Sequence, residues 1–239
     1  MTPRESRTFP PRVVALDGDD TLWHNETMFS TSYDRFRDLV LRHVDLPGHE
    51  VDAQLLETER RNLGTYGYGI KGFVLSMVET AIEVTGGRIP TADIQAILRF
   101  GRLMLEHPVE LIDGAEDVIA ALHAQDHEVW LLTKGDLFDQ ESKIARSGLT
   151  ERFHRIEIVS EKDEATYRRL LDRHGVAIEE FAMVGNSLRS DVLPVAAIGA
   201  RAFHVPYELT WAHEAVAPDP DADFVTLDSL RALPAALRD

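Results

Sequence analysis

The segment Val13-Val14-Ala15-Leu16-Asp17-Gly18-Asp19-Asp20-Thr21 changes character in one step. Four apolar residues end at Leu16, and three carboxylates follow at once, the pattern of a buried strand running out into a polar loop. Before this segment, residues 1–11 combine Pro3, Pro10 and Pro11 with charged and hydroxyl residues and have no periodicity, so they read as a disordered tail. After it, Phe29, Tyr33, Phe36 and Val40 recur at helical spacing, as do Ile70, Phe73, Val74, Met77, Val78, Ala81 and Ile82, and then Ile94, Ile97, Leu98 and Gly101. No convincing strand interrupts this block.

Beyond Pro108 strands and helices alternate. Helices are expected around 115–124, 137–147, 164–174 and 188–198. Strands are expected at 128–132, 156–159, 181–184, 202–205 and 224–225. Such alternation implies right-handed crossovers and a mostly parallel sheet covered on both faces. The predicted fold is therefore α/β, a Rossmann-like doubly wound parallel sheet with an inserted α-helical cap domain. The predicted boundaries are 12–24 and 107–239 for the α/β core and 25–106 for the cap.

Composition narrows the function. Asp plus Glu number 41 against 25 Lys plus Arg, for a formal charge of −16 and a pI near 5.0, which argues against a non-specific nucleic-acid binder or a basic membrane-surface protein. An apolar share of 44% and a charged share of 28% over 239 residues can bury a substantial core. With no Cys there is no disulfide framework, thiolate metal site or Cys nucleophile, which suits a reducing cytoplasm. No apolar run approaches the length of a membrane span, and the start of the chain lacks a signal-peptide core. The expectation is a soluble cytoplasmic protein, a monomer or homodimer, with no nucleic-acid or membrane partner.

Three motifs fail on inspection. Gly67-Tyr68-Gly69-Ile70-Lys71-Gly72 matches the dinucleotide fingerprint, but residues 57–62 before it are charged and helix-like where a strand is required. A calcium loop starting at Asp17 would need Gly and Glu where Leu22 and Met28 stand. His123 and His127 have zinc-like spacing, yet Ala124 occupies the place of the metalloprotease Glu, so a solvated helix end is expected.

Doubly wound sheets bind ligands at the carboxyl ends of their strands. Four such ends are polar: Asp17-Gly18-Asp19-Asp20-Thr21, Thr133-Lys134-Gly135-Asp136, Ser160-Glu161-Lys162-Asp163, and Gly185-Asn186-Ser187 with Asp191. Asp17 and Asp19 can face one pocket, and two close carboxylates need a cation or a proton to relieve them. An oxygen-only site for Mg²⁺ is expected, with Asn186 and Asp191 as further ligands or supporting groups. Lys162 can hold a carboxylate ionised and neutralise a phosphate, while Thr133, its neighbour Lys134 and the Gly135 turn offer donors to an anion. These are the parts of phosphoryl transfer through an acyl phosphate.

On these residues the sequence resembles the haloacid dehalogenase (HAD) superfamily in its phosphatase branch, with a helical cap inserted after the first motif. Val14 to Trp23 resembles the first motif, Leu131-Leu132-Thr133 the second, Lys162 the third, and Met183 to Asp191 the fourth. The resemblance implies that Asp17 attacks phosphorus to form an aspartyl-phosphate, and that Asp19 protonates the leaving alcohol and then activates water. It further implies that Thr133 and Lys162 hold the phosphoryl oxygens, and that Mg²⁺ binds the Asp17 side chain, the Asp19 carbonyl and the fourth motif. The substrate so implied is a small phosphorylated metabolite. One position departs: the motif usually has Asp where this chain has Asn186, an uncharged oxygen ligand expected to weaken Mg²⁺ binding unless Asp191 compensates. The rival readings are a metal-independent 2-haloacid dehalogenase, whose family pattern lacks the acid at Asp19, a sugar-phosphate mutase, and a catalytically degenerate binding protein. Substrate choice is assigned to the cap, where Tyr68 and Lys71 are candidate substrate contacts and Trp23 and His24 candidate hinge or lid residues.

Overall fold

A computed structural model describes residues 10–209, 214, 216–217 and 220–238; most of the predicted tail, residues 1–9, lies outside them. β1 (Val13–Leu16) is fully buried. In chain order there follow α1 (Glu26–Leu41), α2 (Gly48–Tyr66), α3 (Ile70–Val84), α4 (Thr91–Glu106), α5 (Ala115–Ala124), β2 (Glu128–Lys134) and α6 (Leu137–Ser147). The chain continues through β3 (Arg155–Val159), α7 (Glu164–His174), β4 (Phe181–Gly185), α8 (Leu193–Ala197), β5 (Arg201–His204), β6 (Val225–Thr226) and α9 (Leu233–Ala236). It folds as two compact units.

The first unit holds the sheet and contains the residues up to His24, Glu110–Thr133 and those from Ser147 on. The strand order is β3-β2-β1-β4-β5-β6, and β1 pairs in parallel with both β2 and β4. The order reverses between β1 and β4, which is the place where open α/β sheets present a ligand crevice. Register sets what lines it. Leu16 is level with Leu131 and with Val184, so Asp17 emerges beside the ends of both neighbouring strands, and its N–H donates to the Val184 carbonyl at 2.9 Å. Beneath it Ala15, Trp130, Tyr167, Phe181, Met183 and Val195 form part of the apolar core.

Three local details differ from the sequence expectations. The expected helix over 188–198 begins as a π-helical turn, Leu188–Val192, before α8. Pro194 lacks an N–H and cannot continue an uninterrupted ladder, so it sits in the first turn of α8. Pro11, placed in the tail by composition, is buried, and its carbonyl faces His127 Nδ1 at 2.7 Å. His127 is therefore a buried residue, 5% exposed, and not the solvated helix end its polarity suggested.

The second unit, Asn25–Val109 with Lys134–Arg146, is helical. Phe36, Leu55, Met77 and Ile97 are among the residues of its own core, as their spacing requires. The alternating pattern places the segment Lys134–Arg146 in the α/β part, but it groups with the helices of the second unit. Lys143 Nζ donates to Asn25 Oδ1 at 3.2 Å, and Arg146 donates to the His107 carbonyl. The Gly67–Gly69 connection is short, and both glycines have positive φ, at 71° and 103°.

Glu59 is buried within the helical unit, and its Oε2 has no hydrogen-bond partner among the described residues. Burial, with a smaller contribution from Glu26, pushes its carboxyl from an ordinary 4.5 up to about 8. Between those values the native state holds a proton that the unfolded chain has released. This part of the stability is complete at low pH and lost as pH rises through about 8. Glu59→Gln is expected to leave stability unchanged near pH 4 and to raise it by on the order of 1–2 kcal/mol near pH 8.5. Urea denaturation at the two pH values checks this, and equal effects at both would contradict the assignment.

Candidate active site

The turn after β1 folds tightly because Gly18 and Asp20 allow it. The Gly18 carbonyl accepts from the N–H groups of Thr21, Leu22 and Trp23. A Cβ at Gly18 would run into the Trp23 ring, and Asp20 has a φ of 60°. Trp23 is completely buried, and its Nε1–H donates to Asp19 Oδ1 at 2.7 Å. It is a clamp on the Asp19 carboxylate from a buried place, which does not suit the lid half of its reading as a hinge or lid residue. His24 is exposed and meets the Tyr207 hydroxyl at 2.6 Å.

Asp17 is 6% exposed, and its Oδ1 accepts from Lys162 Nζ at 2.5 Å. Asp163 caps α7 by accepting from the Thr166 N–H at 2.7 Å, which fixes Lys162 just before the helix. The same ammonium donates to Asp191 Oδ1 at 2.6 Å. Asp191 Oδ2 accepts from the Ser187 N–H at 3.0 Å, and only glycine at 185 leaves room for this carboxylate. Thr21 Oγ1 stands 3.5 Å from both Asp17 Oδ2 and Asn186 Oδ1, and it accepts from the Asn186 N–H at 3.0 Å. Asp17, Thr21, Lys162, Asn186 and Asp191 are therefore one cluster, with Asp19 held at its rim by Trp23.

Thr133 is 1% exposed and its Oγ1 has no partner among the described residues. A buried hydroxyl without a partner is costly, so it is poised for a ligand oxygen. Burial and the neighbouring Asp191 and Asp19 push the Asp17 carboxyl up to about 7, against the pull of Lys162. Burial opposes the Lys162 charge, but Asp17 and Asp191 outweigh it and hold its proton. Lys162 is thus cationic and shared between two acids, leaving one negative charge uncompensated.

That imbalance fits a divalent cation. No group of three His, Asp or Glu forms a cage among the described residues, so the fit rests on a mixed oxygen set. Asp17 Oδ2 and Asn186 Oδ1 approach the same hydroxyl, and both are hard donors of the kind Mg²⁺ takes. Both Asp191 oxygens are engaged by Lys162 and Ser187, so Asp191 acts on its neighbours and through its charge.

The remaining sequence candidates lie in the helical unit. Lys134 Nζ sits 4.1 Å from the Tyr68 ring centroid, a cation–π contact, and Lys71 Nζ pairs with Asp136 Oδ1 at 2.7 Å. Sequence reasoning missed the role of Trp23, although a Trp four residues after Asp19 was visible. It also passed over Tyr167, whose hydroxyl donates to the Ser190 carbonyl at 2.9 Å and ties the fourth-motif turn to α7.

A sheet switching at β1/β4, with an Asp-x-Asp loop, a Thr, a Lys and an Asn-Asp turn at four strand ends, defines a class of hydrolases. The model of the haloacid dehalogenase-like hydrolases matches residues 11–199, and the chain belongs to this family. A haloacid dehalogenase-like family hydrolase from Xanthomonas campestris is 45% identical, with a TM-score of 0.85 over 96% of this chain and 91% of that one. The HAD hydrolase YfnB of Bacillus subtilis, bound to magnesium, is 16% identical, with a TM-score of 0.66 over 97% and 100%. L-2-haloacid dehalogenase from Xanthobacter autotrophicus, with chloropropionic acid covalently bound, is 16% identical, with a TM-score of 0.60 over 95% and 98%. At such identities these two likenesses concern the fold. No curated protein matches the chain. No helix among the described residues is long and apolar enough to cross a membrane.

Proposed function

We propose that this HAD-like hydrolase is a Mg²⁺-dependent phosphatase acting on a small phosphorylated metabolite through an aspartyl-phosphate. The observation that carries the reading is the Asp19 carboxylate, two residues from the nucleophile and fixed by Trp23 Nε1. A phosphate ester needs an acid at that place to protonate the departing alcohol, whereas displacement of halide does not.

Asp17, ionised against Lys162, attacks phosphorus. The bond to the ester oxygen breaks, and that oxygen takes a proton from Asp19. Asp19, now a carboxylate, removes a proton from water, which attacks the phosphorus of the aspartyl-phosphate and frees Asp17 and inorganic phosphate. Lys162 and the Thr133 hydroxyl hold the phosphoryl oxygens, and Lys134 is proposed as a further substrate-binding cation. Mg²⁺, held by Asp17, the Asp19 carbonyl and Asn186, would supply charge neutralisation at the transferring group. In the helical unit Tyr68 and Lys71 are the proposed substrate contacts.

Hydrolysis of a generic aryl phosphate that stops on chelation and returns with Mg²⁺ is the expected result. Release of halide from a 2-haloacid, with no phosphate release, would sink the reading. Asn186→Asp adds a charge beside the cation, so half-saturating Mg²⁺ is expected to fall by roughly an order of magnitude. The added charge also repels phosphate, so kcat need not rise. An unchanged Mg²⁺ titration would remove position 186 from the cation site.

A further inference from the structure

The amide at position 186 leaves the fourth motif one charge short, and a carboxylate from far along the chain lies on that same turn. Glu214 Oε2 accepts from Ser187 Oγ at 2.5 Å and from Ser190 Oγ at 2.7 Å. Ser187 follows Asn186 directly and Ser190 precedes Asp191. The turn is already closed without it: Ser187 Oγ accepts from the Ser190 N–H at 3.0 Å, and Asp191 Oδ2 accepts from the Ser187 N–H.

A half-buried acid is therefore held on the turn that Asp191 also closes. Its field reaches the interior: the Tyr167 phenol is pushed well above its ordinary value by burial first, and then by Asp191, Asp17 and Glu214 together. Glu214 thus adds a carboxylate on the turn whose Asp191 shares the Lys162 ammonium with Asp17. His204 completes the surroundings, with Nε2 3.1 Å from the Asn186 carbonyl.

Resting on the phosphatase reading above, we propose that Glu214 supplies to the cation site the negative charge that Asn186 lacks. It acts on the cation site through its charge and not through the hydrogen bonds that tie it to the turn. The proposal makes position 186 and position 214 interchangeable carriers of one charge, which a mere loop tie would not.

The test is direct binding of Mn²⁺ to the full chain without substrate, followed by electron paramagnetic resonance. Glu214→Gln is expected to weaken Mn²⁺ about tenfold, and Asn186→Asp added to it to restore affinity to within about threefold of wild type. Ser187→Ala with Ser190→Ala, which cuts the tie but keeps the charge, is expected to stay within about threefold as well. Unchanged binding by Glu214→Gln overturns the proposal, and so does a loss that Asn186→Asp fails to rescue. If Glu214→Gln does not fold, the Ser pair decides: a tenfold loss there assigns the effect to the tie and overturns the proposal. Wild type that binds no Mn²⁺ overturns this proposal together with the phosphatase reading, whereas the other outcomes leave that reading standing.

Discussion

Asp17→Asn is expected to lower turnover of any phosphate ester by at least about 10³-fold, because an amide cannot form the acyl phosphate and the remaining parts of the site do not substitute for it. The change is nearly isosteric, and it replaces a carboxylate whose burial already pushes it up to about 7. Stability should therefore change little, and the loss should appear in kcat. Single-turnover assays with the pure variant measure it, and circular dichroism confirms the fold. Beryllium fluoride with Mg²⁺, which imitates the phosphorylated carboxylate, is expected to inhibit wild type and to have no hold on Asp17→Asn. Turnover within about tenfold of wild type would remove Asp17 as nucleophile.

Lys162→Met is expected to damage both fold and chemistry. The ammonium is 4% exposed and lies within 2.6 Å of both Asp17 and Asp191. Taking one partner from a buried ionic cluster leaves its charges uncompensated, a loss of about 3–5 kcal/mol. The sign with pH follows from the acids. Without Lys162 the pull that lowers Asp17 is gone, so its carboxyl rises above about 7. The cost is then relieved when the acid is protonated and grows as pH rises through that value. Urea denaturation at about pH 5 and about pH 8 should show a smaller loss at the lower pH. A loss under about 1 kcal/mol at both would mean that the cluster does not hold the fold as described. Activity at about pH 8 is expected to fall at least 100-fold, since in the proposed mechanism Lys162 also holds the phosphoryl oxygens.

The chain carries its architecture on its surface pattern. A run such as Val13–Leu16 suits the inside of a sheet, and the helical spacing of Tyr33, Phe36 and Val40, or of Phe73, Met77 and Ala81, buries a stripe in a helix. Strand–helix alternation does the rest, because right-handed crossovers allow few sheets. Asp17 and Thr133 stand out because each follows an apolar run at the end of a strand, and Lys162 and Asp191 because they lie on the polar connections after the next strands.

What those residues do to one another was decided only in three dimensions. Lys162 stands 145 residues from Asp17 in sequence, and nothing local says that it bridges Asp17 and Asp191. Trp23 reads as a hinge or lid residue because aromatic residues in connections are ambiguous, yet the glycine at 18 lets its ring close over the turn and hold Asp19. His127 and Pro11 looked exposed by composition, but each supplies the other's hydrogen bond in a buried place. Lys71 pairs with Asp136 because Lys134–Arg146 groups with the helices of the second unit, a grouping that helical periodicity cannot distinguish from packing on the sheet. Sequence determines which faces must be buried and which strand ends bear charge, because those are properties of single residues and short periods. Partners are selected by register and tertiary packing, which bring Glu214 onto the turn of Asn186.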